Sequence, residues 1–287
     1  MRALLGDGYK VTVLDDWSVG HTEYLEGLDV TLVAADILDR AAVDGAVADH
    51  DAVVHLAAQT GVPGSVKDPY KDCETNVIGT LNVLMAARDH SVSRFVFASS
   101  NAPLGRQEPP ATEDMAPLPI SPYGASKLAG EAYCLAFHGS WGLGTVALRF
   151  GNVYGPYSAH KNSVVAKFFK DIRDQGTLTI DGDGSQTRDF IYVDDLCRAI
   201  VLAANGEVAG EVFQISSGQE TSIAQLATMV AEVAERDVAT TWGPERVGDM
   251  ARNYARVSKA RTLLGWEPEV ELNDGLLATW KWMQAHA

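Results

Sequence analysis

Five short runs of apolar and β-branched residues recur in the first half of the chain, at 10–14, 30–35, 52–56, 95–98 and 145–150. Their length and composition predict strands buried on both faces. Between them, positions 76–88 and 123–137 carry apolar residues at helical spacing. Strand and helix in alternation require right-handed crossovers and a parallel sheet covered on both sides, so the expected class is α/β with a doubly wound, Rossmann-type sheet. In that class ligands gather at the carboxyl ends of the strands.

After Gly151 the rhythm loosens. Helices are expected near 164–174, from 194 onward and near 276–284, with a glycine-rich turn at Asp181-Gly-Asp-Gly184. This predicts a smaller α/β substrate domain interleaved with the first. The expected division is 1–151 plus about 189–215 for the nucleotide-binding part, and 152–188 plus 216–287 for the substrate part. No repeat or long linker interrupts the chain, so one compact unit is expected.

Composition narrows the partners. The 287 residues are 46% hydrophobic, with a formal net charge of −15 and a pI near 4.8. Such a field repels polyanions and argues against nucleic acid or an anionic membrane surface, so an anionic ligand must be held by local arginines. Cys73, Cys134 and Cys197 stand far apart, which fits a reducing cytoplasm rather than a disulfide framework. No run of 18 apolar residues and no signal-peptide pattern is present, so neither membrane insertion nor export is expected. The seven histidines form no ligand-like cluster; His55, inside an apolar run, is expected to be packed in the core, and no catalytic metal is expected.

The strand at 11–14 ends in Asp15-Asp16. A carboxylate at a strand tip can accept both ribose hydroxyls of adenosine and repel a 2′-phosphate, which favours NAD over NADP. The same two residues can equally begin a turn. A nucleotide-binding sheet of this kind opens with a strand and a G-x-G-x-x-G loop. Here residues 1–5 read as the end of the helix after such a loop, and Gly6-Asp-Gly8 as its stop. The expectation is that the true start lies about 15 to 20 residues upstream, a strand, a loop and the start of a helix; a genuine fragment or degenerate paralogue is the alternative. A chain without that central strand is expected to be unstable or prone to aggregate, because two neighbouring strands lose their partner.

The richest segment is 95–127. A buried strand runs into Ser99-Ser100-Asn101, and Tyr123-Gly-Ala-Ser-Lys127 opens a helix with Tyr and Lys on one face. An ammonium near a phenol favours the phenolate, so Tyr123 is expected to act as a general base near neutral pH, below its ordinary value of about 10. Ser100 is the candidate partner on the same hydroxyl.

These residues belong to a longer set: Val53-Val-His-Leu-Ala-Ala58, Asn76-Val-Ile-Gly-Thr80, Leu148-Arg-Phe-Gly-Asn-Val-Tyr-Gly-Pro156, Gly182-Asp-Gly-Ser-Gln-Thr-Arg-Asp-Phe-Ile-Tyr-Val-Asp-Asp195 and Leu264-Gly-Trp266. Together they resemble the extended short-chain dehydrogenase/reductase family, in its nucleotide-sugar epimerase and dehydratase branch, over residues 4–282. The resemblance implies NAD as cofactor. Asp15, Asp36 and Ile37 would hold the adenosine, with Asp16 beside them; Leu56, Ala57, Ala58 and Asn76 would line the cofactor path, and Lys127 would bind the nicotinamide ribose. It implies Ser100, Tyr123 and Lys127 as the catalytic set, and Asn152, Arg188, Arg246 and Asp249 on a UDP-sugar. Outside the motifs, each arginine reads equally as a solvated charge or an ion pair.

Dehydratases of the branch carry Asp-Glu after the Ser/Thr position, where this chain has Asn101-Ala102, two residues unable to exchange protons with a sugar. The implied reaction is therefore epimerisation at C4, with UDP-glucose and UDP-galactose the expected pair. A reductase, a decarboxylase or a nucleotide-binding paralogue without turnover are the alternatives. Ala102-Pro-Leu-Gly105 departs from the branch, which has Tyr before that Gly. The resemblance also implies a homodimer formed by the helices at 76–88 and 123–137.

Overall fold

A computed structural model describes residues 1–159, 163–244 and 250–286. The chain opens with a one-turn helix α1 (Arg2–Gly6), then β1 (Val11–Asp15), β2 (Val30–Ala34), α2 (Arg40–Val47) and β3 (Ala52–His55). Helices α3 (Val62–Lys67) and α4 (Pro69–Cys73) follow, and α4 continues through a π-helical stretch, Glu74–Gly79, into α5 (Thr80–Asp89). Next come β4 (Arg94–Ser100), the long α6 (Pro122–Trp141) and β5 (Gly144–Phe150). The remainder runs β6 (Asn152–Tyr154), α7 (Val164–Gln175), β7 (Thr177–Asp181), β8 (Thr187–Arg188), β9 (Phe190–Tyr192) and α8 (Val193–Asn205). It ends with β10 (Glu211–Ile215), β11 (Thr221–Ser222), α9 (Ile223–Val233), β12 (Ala239–Gly243) and α10 (Leu272–Ala285).

Strands β3, β4, β5 and β10 form one parallel sheet in the order β10-β5-β4-β3. Alternate side chains of β4 explain why it is apolar throughout. Phe95 and Phe97 pack with Leu84 of α5 and Phe137 of α6 on one face, while Val96 joins Leu148, Ile200 of α8 and Trp266 on the other. His55 closes the first face between Phe95 and Phe97, bonded to Thr80 Oγ1 at 2.9 Å and held neutral by burial, its pKa pushed down to about 3. It is a core histidine.

Strands β1 and β2 form a separate parallel pair that shares no ladder with β3. All five residues of β1 are half-buried, whereas the middle five of β4 are buried. The pair is attached through other elements. Leu14 and the α2 residues Val43 and Val47 join the core of Phe95 and Phe97. His50, just after α2, bonds Thr12 Oγ1 at 2.9 Å, and Asn205 of α8 donates to Asp7 at 2.6 Å and bonds Tyr9.

A second core joins Tyr154, Phe168 and Phe169 of α7, Leu226 and Val230 of α9, and Leu276 and Trp280 of α10. The interleaving is finer than the sequence suggests. Phe190 and Tyr192 belong to this second core, while Ala260, Leu264 and Trp266 pack against the main sheet. Buried Asp195 ties the two: its carboxylate accepts the backbone N–H of Glu269 and Val270, and its carbonyl accepts Trp266 Nε1 at 2.9 Å.

Candidate active site

Helix α6 begins where its sequence specifies a start. Ser121 caps it by accepting the Gly124 N–H, Pro122 occupies the first turn, and Gly142 ends it with φ +73°. It then lies unusually close to β4. A Cβ on Gly124 would come within 2.6 Å of the Ala102 carbonyl oxygen, and one on Gly130 within 2.3 Å of the Phe97 ring. These two glycines let α6 settle on the carboxyl end of β4 and bring Tyr123, Lys127 and Ser100 together.

Lys127 is 3% exposed, and its Nζ donates to the Ala98 carbonyl at 2.9 Å, with the Phe97 ring 4.9 Å away. Burial pushes its pKa down to about 8, opposed by the negative charge of Asp72 and Glu131. For Tyr123 the expected direction is reversed. Burial pushes the phenol up and the Asp72 carboxylate pushes the same way, while the hydrogen bond with Ser100 alone pulls it down. Lys127 uses one of its three N–H donors on the Ala98 carbonyl.

Along the strand ends, Asp15 closes β1 and its Oδ1 accepts the Trp17 N–H at 2.8 Å. Asp16 accepts from both the backbone and the hydroxyl of Ser18, which holds its carboxyl below the usual range. Both aspartates therefore form the turn that their residue type also allowed, and Asp15 remains at the strand tip. Asp36 turns the chain after β2 by accepting the Leu38 N–H at 2.9 Å. Ile37 is buried: its side chain packs against Gly79, where a Cβ would come within 2.4 Å of it, and Asn82 holds its carbonyl. Its side chain serves the core rather than the ligand edge.

Beyond β3, Leu56 is 55% exposed, Ala57 is exposed and Ala58 half-buried, an apolar ledge at the carboxyl edge. Asn76 does not line that ledge. It is 1% exposed, accepts the Gln59 N–H at 2.8 Å and donates to the Gln59 carbonyl, Asp72 and Ser126. The π-helical stretch turns it inward, where it braces the segment after β3 against α6.

On the opposite side, Asn152 of β6 donates its backbone N–H to the Asp189 carbonyl at 2.8 Å. Arg188 donates Nη1 to the carbonyls of Thr187 and Met250, so it braces the residues following Gly248 and Asp249. Arg246 and Asp249 lie outside the described residues. Two acidic residues that sequence reasoning assigned no role organise this side, Asp189 inside the Gly182–Asp195 motif and Glu220 outside any motif. Asp189, 1% exposed, gathers Ser217, Gly218 and the Ala255 N–H, and Glu220 pairs with Arg252 through two bonds of 2.7 and 2.8 Å. Leu104 stands where the branch has Tyr; it is buried with Ala111, Met115 and Ala255, so apolar packing fixes that turn. Among the described residues no group of three or more His, Cys, Asp or Glu sits together as a metal site.

Residues 1–216 match the NAD dependent epimerase/dehydratase family. The chain is 37% identical over 286 residues to a UDP-glucose 4-epimerase of Mycolicibacterium smegmatis, covering 96% of this chain and 91% of that protein. Among solved structures it resembles a UDP-N-acetylglucosamine 4-epimerase from Methanobrevibacter ruminantium in complex with UDP-N-acetylmuramic acid. That match has a TM-score of 0.94 at 33% identity over 99% of this chain and 93% of the other. A UDP-glucose 4-epimerase of Thermus thermophilus in complex with NAD matches with a TM-score of 0.92, at 32% identity over 100% and 94% of the two chains.

Proposed function

The chain belongs to the NAD-dependent epimerase/dehydratase family, and from that premise we propose that it is a UDP-sugar 4-epimerase acting on UDP-glucose and UDP-galactose. The observation that carries the reading is the convergence of Ser100, Tyr123 and Lys127 at the end of β4, beside an Asn101-Ala102 pair without acid or base.

The carboxyl edge fits the cofactor at both ends: the Asp15 carboxylate suits the adenosine ribose, the exposed Leu56 ledge suits flat apolar rings, and Lys127 is a buried ammonium near the reacting centre. When bound, NAD supplies a reversible hydride acceptor facing the sugar. Tyr123 takes the proton of the C4 hydroxyl as hydride leaves C4, and returns it after the 4-keto sugar has presented its other face. Ser100 holds the same oxygen and, by its hydrogen bond, eases the phenol's loss of its proton. Neither Asn101 nor Ala102 can remove water from C5 and C6, so the keto sugar leaves only by reduction. Asn152, Arg188, Arg246 and Asp249 are the proposed diphosphate and nucleotide contacts, since guanidinium groups suit paired phosphates.

The division into 1–151 with 189–215 and 152–188 with 216–287 is proposed as a grouping along the chain, with Phe190 and Tyr192 crossing to the second core and Ala260, Leu264 and Trp266 crossing to the main sheet. A homodimer is proposed through α5 and α6, beside which Val66, Tyr70, Ile78, Tyr133 and Leu135 are exposed. The three free cysteines suit a reducing cytoplasm. The test is to incubate the purified chain with NAD and UDP-galactose and follow UDP-glucose by chromatography. Conversion with no net NADH is expected; release of CO₂, a 4-keto-6-deoxy product or consumption of added NADH would replace this reading.

A further inference from the structure

Glu131 lies one turn beyond Lys127 on α6, continuing the face that carries Tyr123. It is 3% exposed, and its carboxylate serves both strands beneath it. From β4, Ser99 Oγ donates to Oε1. From β5, Arg149 donates Nε to Oε1 and Nη2 to Oε2, each at 2.8 Å. Ser99 and Arg149 are direct partners in the β4–β5 register, so one carboxylate bridges one rung of the sheet. Two successive turns of one helix face thus engage two consecutive residues of β4, Lys127 the Ala98 carbonyl and Glu131 the Ser99 hydroxyl, and the turn before them carries Tyr123 toward Ser100 at the same strand end.

Stability alone does not call for this pair. Two buried charges lose their hydration, and well-packed apolar residues of similar volume commonly hold a helix to a sheet as well or better. The site is also demanding, because Arg149 Nη1 and both side-chain polar atoms of its rung neighbour Gln214 are buried without a hydrogen-bond partner. What a two-bond fork adds is geometry: it admits one axial and rotational setting of the helix, which apolar contacts do not define.

We propose that Glu131 is a positioning residue for the reaction: clamped by Arg149 and Ser99, it sets where α6 presents Tyr123 and Lys127 to Ser100. The inference rests on the roles assigned above to those three residues. The charged and titratable groups facing Lys127 are Asp72 from α4, Glu131 and Cys134 from α6 and His55 from β3, and the Asp72 and Glu131 charges favour the ammonium form.

The experiment compares E131Q and the double variant E131M/R149M with the parent chain. It reads kcat, KM, melting temperature and, without added nucleotide, the ultraviolet titration of Tyr123 as a difference against the same chain carrying Y123F. In E131Q kcat is expected to fall on the order of tenfold to a hundredfold with KM within about twofold, the signature of misplaced catalytic groups. The Tyr123 titration is expected to move upward as the Ser100 hydrogen bond loosens; removal of a nearby negative charge by itself would move it downward. In the double variant the melting temperature is expected to recover while kcat does not. Recovery of both overturns the proposal. Should the double variant not fold, E131Q decides: unchanged kcat with an unchanged or lowered Tyr123 titration overturns it. An inactive parent chain would sink the epimerase reading alone, since the Tyr123 titration needs no turnover.

Discussion

The phenol of Tyr123 keeps its proton more firmly than a free tyrosine, because burial and the Asp72 carboxylate outweigh the Ser100 hydrogen bond. Replacing it tests the base directly: Y123F is expected to lower kcat by about 10²- to 10⁴-fold with little change in KM, measured as UDP-galactose conversion. Lys127 gives a stability test with a defined sign. Its folded pKa is about 8 and its ordinary value 10.5, so between these the unfolded chain binds the extra proton and stability rises with pH. Below pH 8 the burial penalty is present in full. K127M removes it and is expected to be more stable by on the order of 1–3 kcal/mol at pH 7 in urea unfolding, while inactive. That advantage shrinks as pH rises from about 8 to 10.5. His55 acts at the other end of the scale. Unfolded it titrates near 6.5 and folded near 3, so its contribution to stability is lost as pH falls through that window. H55N, which retains a polar partner for Thr80, is expected to flatten the acid limb of the urea midpoint against pH.

Strands and helices were legible to different degrees, for physical reasons. The runs at 95–98 and 145–150 became β4 and β5 because a central parallel strand must be apolar on both faces, and 52–56 became β3, which is apolar because Val53 and Val54 face cores on opposite sides although β3 ends the sheet. Helix α2 escaped because Arg40–Val47 is short and contains Gly45, and α9 because its apolar residues extend beyond one face. The inward turn of Asn76 depends on a π-helical stretch, and the anchoring of Arg188 on residues 62 positions away; neither leaves a local pattern. Burial is likewise absent from a motif, so the pairing of Tyr123 with Lys127 was readable and the upward direction of the phenol was not. The turn after Ser100 offers a test at this scale. Gly105 sits at φ +63°, and a Cβ there would fall 1.8 Å from the Leu118 carbonyl oxygen. G105A is expected to destabilise by about 3 kcal/mol or more, seen as a lowered urea midpoint, since neither backbone can move freely.

Across the whole molecule, order of burial predicts order of opening. The β1–β2 pair is half-buried to exposed and is joined to the main sheet through helices, the apolar contact of Leu14 and side-chain bonds, whereas β4 and β5 are enclosed. Amides of Val11–Asp15 are expected to exchange with solvent at least about a hundredfold faster than those of Arg94–Ser100, by hydrogen-exchange mass spectrometry. That two strands would lack a common neighbour was readable from the sequence; that the break falls between β1 and β3, and that bonds through His50 and Asn205 hold the pair in place, was not. The break divides the carboxyl edge, with Asp15 on one piece and Ser100 on the other. A dinucleotide held at both ends would act as a tie rod between two plates. By reciprocity, the free energy with which the tie draws the plates together is the same free energy by which their coherence strengthens its grip.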